Sequence, residues 1–268
     1  MNAFGNIFSQ PLFMTDSELK NFIVSASEFG NLPKMEYDGR YNTWRKFYEE
    51  FYNPVNRLDS IAIVTISGPM MKSLLSYGMD IIASFLEDLF KDETCKVIIL
   101  KISSGGGAAD AMFLLLDTLS RKNKPIIAYV EDYCCSAAYG VASACDEIFV
   151  NRTTAYVGSI GVLSSIADID KFYESFGLKI HNVYAEGSKD KNIEVRELFE
   201  GNNSLVKANL DIYLKDFINT ISKNRSGKLK SDSNEWGTGK TYFAKEAIAL
   251  GLIDGIMPLN DIISNIIV

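Results

Sequence analysis

Histidine is nearly absent from this chain: its 268 residues include one, His181. That scarcity excludes histidine-rich metal centres and leaves any serine–histidine mechanism dependent on one side chain. Cysteine is scarce too, with Cys95, Cys134, Cys135 and Cys145 as the full set. No C-x-x-C pair or His-Cys cluster has zinc spacing, and the pattern does not suggest a disulfide framework. We read the four as reduced, packed thiols, with Cys134 and Cys135 close enough to a candidate site to be weighed as reactive. Basic residues are outnumbered, with 27 Lys and Arg against 34 Asp and Glu and a formal charge of -7. Nucleic acid is therefore not an expected partner, because phosphate neutralisation needs clustered cations. No apolar run approaches the roughly 18 residues of a bilayer span. The first basic residue is Lys20, so no charged n-region of a signal peptide is read at the start and a cytoplasmic setting is expected. Internal repeats and low-complexity segments are also missing.

What is present is an ordinary globular composition, 47% hydrophobic and 23% charged, enough for one large domain with an appendage. Residues 1–58 read as an N-terminal arm and oligomer contact. They hold a candidate helix from Asp16 to Phe29, opened by Thr15 or Asp16, then an aromatic and charged stretch from Tyr37 to Tyr52. Over 59–268 the pattern alternates. Ile61 to Ile66, Val97 to Ile102 and Pro125 to Val130 read as buried strands, and Ile148 to Val150 starts a fourth. Met79 to Leu89, Ala108 to Leu119, Leu205 to Lys223 and Ala244 to Leu250 read as helices, the last closed by Gly251. Strands alternating with helices imply an α/β fold with a largely parallel sheet, whose ligands bind at the carboxyl ends of the strands.

The chemistry collects at those ends. Ser136 lies among small residues, a few positions past the third strand and at the start of an apolar helix. Ser103-Ser104-Gly105-Gly106-Gly107 follows the second strand directly. A serine hydroxyl needs a base to become a nucleophile. His181 is one candidate, but it lies in Leu178 to Val183, which reads as a strand and favours a structural histidine. Lys189 is the other. A lysine acts as base only when neutral, which requires burial to lower a reference pKa near 10.4 to roughly 7–8. Lys189 lies two residues after Gly187 and is close to apolar strand residues, so a buried position is expected, with a solvated loop beside Asp190 and Lys191 as the bland alternative. Acyl transfer also needs backbone N–H groups aimed at the oxyanion; the glycine triplet and the Ala137 N–H can supply them. The triplet has a second reading as a phosphate-binding turn. Gly237-Thr238-Gly239-Lys240-Thr241 imitates the end of a Walker A loop, but Asn234 stands where that motif needs glycine.

The ordered set Ser103-Ser104-Gly105-Gly106-Gly107, Lys124-Pro125-Ile126-Ile127-Ala128, Ser136-Ala137-Ala138-Tyr139, Ala144-Cys145-Asp146-Glu147-Ile148 and Gly158-Ser159-Ile160-Gly161-Val162 resembles the signal peptide peptidase A family. That family includes the head maturation proteases of tailed phages. The likeness runs from about 60 to 256. It implies the Clp-protease/crotonase fold of repeated ββα units and a Ser–Lys dyad, with Ser136 as nucleophile and Lys189 as base. It places the oxyanion hole at Gly105 or Gly106 together with Ala137. It implies no cofactor and no metal. It also implies a homo-oligomer whose neighbours complete the pocket, and polypeptide substrates. Two departures stand out: Ser104 replaces the family's usual proline, and Cys134-Cys135 replaces its small residues.

Taken together, the expectation is a Ser–Lys serine endopeptidase of the phage or prophage capsid maturation kind, acting on scaffold, capsid or portal proteins in the bacterial cytoplasm or prohead. A soluble bacterial peptidase that clears signal-peptide remnants shares the dyad and differs in substrate. A crotonase-type acyl-CoA enzyme would instead use carboxylates such as Asp110 or Glu131. A non-catalytic assembly protein would leave Ser136 and Lys189 without a purpose.

Overall fold

The computed structural model describes residues 12–13, 54–73, 78–168 and 174–267. The candidate helix over 16–29 and the aromatic stretch over 37–52 lie outside them. In chain order the strands are β1 (Leu12–Phe13), β2 (Val55–Leu58), β3 (Ile61–Ser67), β4 (Val97–Ser104), β5 (Gly107–Ala108), β6 (Ile126–Cys135), β7 (Glu147–Val150), β8 (Tyr156–Gly158), β9 (Thr241–Phe243) and β10 (Gly255–Ile256). The α-helices are α1 (Met79–Lys91), α2 (Ala109–Leu119), α3 (Ala137–Ser143), α4 (Ile193–Phe199), α5 (Ser204–Asn224), α6 (Ser233–Trp236), α7 (Ala244–Leu250) and α8 (Leu259–Ile267).

One sheet organises the molecule, in the order β10-β7-β6-β4-β3-β2, with β8 on β6 and β9 on β8. The pairs β3–β4, β4–β6, β6–β7, β6–β8 and β7–β10 are parallel, whereas β2–β3 and β8–β9 are antiparallel. This is the largely parallel α/β sheet of the Clp-protease/crotonase-like fold. The strand residues segregate by parity, as a period of two requires. Ala62, Val64, Ile66, Ile98, Leu100, Ile102, Ala128 and Val130 enter a large core with residues of α1, α2, α3 and α5. Ile61, Ile99, Ile127 and Tyr129 face the other way, onto Ile262 of α8. Burial on both faces explains why these strands read as unbroken apolar runs.

Several elements extend past their expected ends. The sheet takes in Val55–Leu58, assigned to the arm from sequence, which pairs with β3 from Val55↔Val64 to Leu58↔Ile61. Strand β6 does not stop at Val130 but runs on to Cys135. The expected strand from Leu178 to Val183 does not form: 178–183 has no regular structure, with Leu178 57% and Val183 93% exposed. Among the described residues no neighbouring strand accepts its hydrogen bonds, so apolar alternation alone does not make a strand.

Candidate active site

The site grows out of strand register. Strands β4 and β6 run parallel from Ile98↔Ile126 to Ile102↔Val130, and after an irregularity Ser104 faces Cys134. The chain positions that follow, Gly105-Gly106 on one strand and Cys135-Ser136 on the other, therefore emerge side by side at one sheet edge. Adjacent strands lie about 4.8 Å apart, so glycine turn and serine are neighbours by construction. On the other flank Cys135 pairs with Gly158 of β8, and the Ser136 N–H donates to the Gly158 carbonyl at 2.7 Å.

Ser136 sits at the turn from β6 into α3 with φ 53° and ψ −123°. A left-handed φ is uncommon for a residue with a Cβ and is held only where surroundings over-determine it. Here the constraints are the Gly158 carbonyl on its N–H and the Gly140 N–H on its own carbonyl, at 3.0 Å. Such a sharp strand-to-helix turn is the backbone setting of a nucleophile elbow. Ser136 is 2% exposed, and Ala137, the first residue of α3, is fully buried. The N–H of a first helical residue has no acceptor within its own helix.

The glycine turn is held from below by Met70. The Met70 N–H donates to the Gly106 carbonyl and the Ala108 N–H to the Met70 carbonyl, both at 2.8 Å. A Cβ at Gly107 would lie 1.9 Å from the Met70 carbonyl oxygen, and Gly106 has φ 103°; glycine is needed at both positions. The Gly106 N–H is directed at Ser104 Oγ, 3.1 Å away, while that hydroxyl donates to the Gly68 carbonyl at 2.6 Å. Ser104 thus braces the turn where the family pattern has proline.

Lys189 is placed differently from expectation. It follows the 3-10 turn Glu186–Ser188 in an exposed stretch, and among the described residues no hydrogen bond joins it to Ser136. The expected burial of Lys189 is corrected on this point: within one chain its surroundings are solvent. His181 is exposed in the same stretch. Cys134 and Cys135 are both fully buried. Burial pushes the Cys134 thiol well above its ordinary value and the Cys145 thiol up to about 12, which disfavours the reactive thiolate. All four cysteines are buried, as packed thiols should be. Glu131, weighed as a carboxylate base, is paired with Lys101 at 2.9 Å.

The sequence reading missed Ser159. It took Gly158-Ser159-Ile160-Gly161-Val162 as a signature only, yet Ser159 directly follows the residue that binds Ser136 and shares its left-handed backbone, φ 49°. A second serine after a glycine at a strand end was the available signal.

A parallel α/β sheet that delivers a strained serine beside a glycine turn defines a hydrolase-like framework. The family model for peptidase family S49 matches residues 118–266, more than half of the chain. The chain belongs to peptidase family S49, a family of serine peptidases. It is 31% identical over 209 residues to a Brucella melitensis protein named Na(+)/H(+) antiporter NhaA, a match covering 76% of this chain and 27% of that protein. Protease 4 of Haemophilus influenzae is 25% identical over 262 residues, 93% of this chain and 40% of its own length. The head-tail preconnector protein GP5 of Enterobacteria phage P21 is 25% identical over 216 residues, 77% of this chain and 42% of its own. This chain thus spans well under half of each of these relatives. Among solved structures, a point mutant of the 1510-N membrane-bound stomatin-specific protease shares the fold, with TM-score 0.53, 15% identity, and coverage of 78% of this chain and 85% of that one. Among the described residues no helix is long and apolar enough to cross a membrane.

Proposed function

We propose that the protein is a serine endopeptidase in which Ser136 is the nucleophile and Lys189 the general base. The observation that carries this reading is the strained, hydrogen-bonded turn at Ser136, set between the glycine turn after β4 and Gly158 of β8. Ser136 Oγ attacks the scissile carbonyl as Lys189 Nζ takes its proton; the tetrahedral intermediate then collapses to an acyl-enzyme as Lys189 passes that proton to the leaving amine, which restores the neutral lysine. Water, deprotonated by the same lysine, then frees the serine. The oxyanion is stabilised by the Ala137 N–H together with Gly105 or Gly106. The Gly106 N–H is bound to Ser104 in this state, so its use as a donor requires that bond to open.

The exposed Lys189 fits this chemistry in an assembly. Phe176, Leu178, Ile180 and Val183 are 67%, 57%, 51% and 93% exposed just before it, which supports a homo-oligomer in which a neighbour covers this segment. That cover would remove the amine from water, the condition for a neutral lysine.

The physiological reading is capsid maturation in a phage or prophage, acting on scaffold, capsid or portal proteins, with the domain expected over 59–268 also taking in β2 (Val55–Leu58) and the rest of 1–58 as an arm. The likeness to the phage P21 preconnector protein supports it. Protease 4, matching 93% of this chain, favours a second reading: a peptidase of short, unfolded remnants. Mass-spectrometric mapping of digests by wild type and Ser136→Ala tests both. Discrete cuts in assembled capsid and scaffold proteins, absent in the variant, support the first. Cuts confined to casein and short apolar peptides support the second. Equal cleavage by both proteins removes Ser136 as nucleophile.

A further inference from the structure

We infer that Arg196 is the positioning residue for the loop that carries Lys189; this rests on Lys189 being the base. Lys189 has no regular element of its own. It lies in a run of tight turns, with Ser188 N–H to Ala185 O at 2.8 Å, Lys191 N–H to Ser188 O at 3.1 Å and Ile193 N–H to Asp190 O at 3.2 Å. These bonds shape each turn but tie none of them to the rest of the fold.

Arg196 ties both ends of the run. It stands on α4, which opens at Asn192 with a left-handed φ of 56°, and its own N–H returns to the Asn192 carbonyl at 3.1 Å. Its guanidinium Nη2 donates to the Lys189 carbonyl, and its Cζ lies 5.0 Å from the centre of the Tyr184 ring. One planar cation thus holds a residue before the 3-10 turn and the residue that ends it. The Arg196 Nε is shielded from solvent and has no hydrogen-bond partner among the described residues, while Nη2 makes its bond to the Lys189 carbonyl at the surface. The fork of a guanidinium can stack on a ring and donate from its edge at once, which a lysine ammonium cannot reproduce in full.

The chemistry asks for this because a base misplaced by about 1 Å loses on the order of 100-fold in rate. Arg196 acts on the position of the Lys189 backbone and touches no reacting atom. Its loss therefore falls on kcat and leaves KM nearly unchanged.

The test is steady-state peptide cleavage by full-length wild type, Ser136→Ala, Lys189→Ala, Arg196→Ala and Arg196→Lys, with melting temperatures for each. We expect Arg196→Ala to lose about 10- to 100-fold in kcat at near-constant KM, and Arg196→Lys to recover part of it. Wild-type turnover in Lys189→Ala would overturn the lysine assignment itself. With Lys189→Ala inactive, an unchanged kcat in Arg196→Ala, or equal damage to kcat and KM with no recovery in Arg196→Lys, would overturn the positioning role alone. Where Arg196→Ala does not fold, Arg196→Lys decides by the same split: a kcat below wild type at constant KM supports the role, and wild-type kcat overturns it.

Discussion

At Ser136 the backbone is held in a conformation that costs on the order of 1–3 kcal/mol for a residue with a Cβ. Alanine keeps that cost and glycine removes it, less about 0.5–1 kcal/mol of added chain entropy in the unfolded state. Ser136→Gly should therefore melt at higher denaturant than Ser136→Ala, by about 1 kcal/mol, while both lack peptidase activity. Equal stability of the two would mean the turn is not strained. Gly107 tests the opposite case. A Cβ there meets the Met70 carbonyl at 1.9 Å, and the atoms it meets are backbone, so Gly107→Ala should destabilise by more than about 3 kcal/mol or fail to fold. The glycine triplet was legible in the sequence because glycine announces unusual backbone. The turn at Ser136 was not, since Cys134-Cys135-Ser136-Ala137 contains no glycine or proline to mark a left-handed residue. The serine was found by its chemistry and its place after a strand.

Elements were legible where burial makes a pattern. Strands β3 and β4 announce themselves as unbroken apolar runs, helix α1 by apolar residues at the helical period and helix α2 by a long, strongly apolar stretch. Strand β6 was cut short at Val130 because Glu131 and Asp132 interrupt the run, yet it continues by exchanging β7 for β8 as its partner. No local pattern encodes a change of neighbour. Nor did sequence reveal the tie between α5 and the start of β7. Arg225, 1% exposed, follows α5 and reaches Asp254 at 2.8 Å and the Gly251 carbonyl at 2.9 Å, while Asp254 also accepts from the Ile148 N–H at 2.7 Å. Asp254→Asn leaves the 1%-exposed Arg225 cation without its carboxylate and should cost about 3–5 kcal/mol, whereas Arg225→Met leaves Asp254 paired with Lys228 at 2.9 Å and should cost less. Burial alone raises the Asp254 carboxyl, but hydrogen bonds from Arg225, Lys228 and the Ile148 N–H outweigh it and hold the group below its ordinary value. A depressed carboxyl stabilises fully above the unfolded value, near 3.9, and loses that contribution as pH falls through the folded one. The gap in melting temperature between wild type and Asp254→Asn should be widest near neutrality and close below about pH 4. A gap independent of pH would show that the pair does not titrate with unfolding.

For the whole molecule, the two halves of the proposed dyad sit in opposite environments. Ser136 is 2% exposed, inside a core whose register fixes it to the glycine turn. Lys189 stands in solvent beyond a stretch whose large apolar side chains are uncovered. The sequence offered Lys189 as a candidate base and the family likeness favoured it, but neither gave its setting, because a local run of Leu178, Ile180 and Val183 looks the same whether a strand, a core or another subunit buries it. Uncovered apolar residues grouped this closely mark an interface more often than free surface. If a second copy covers them, oligomerisation and lysine function are one event. Val183, 93% exposed, contributes little to the stability of a single chain, so Val183→Asp should leave its melting transition within about 0.5 kcal/mol of wild type. The same change would place a charge in the interface, where an unpaired carboxylate is costly. Light scattering should then show smaller particles, and peptidase activity should fall with the loss of assembly and return as protein concentration is raised. A Val183→Asp protein that keeps both its assembly and its turnover would show that this segment faces solvent in the working enzyme, and that the lysine is made neutral by something other than a neighbour.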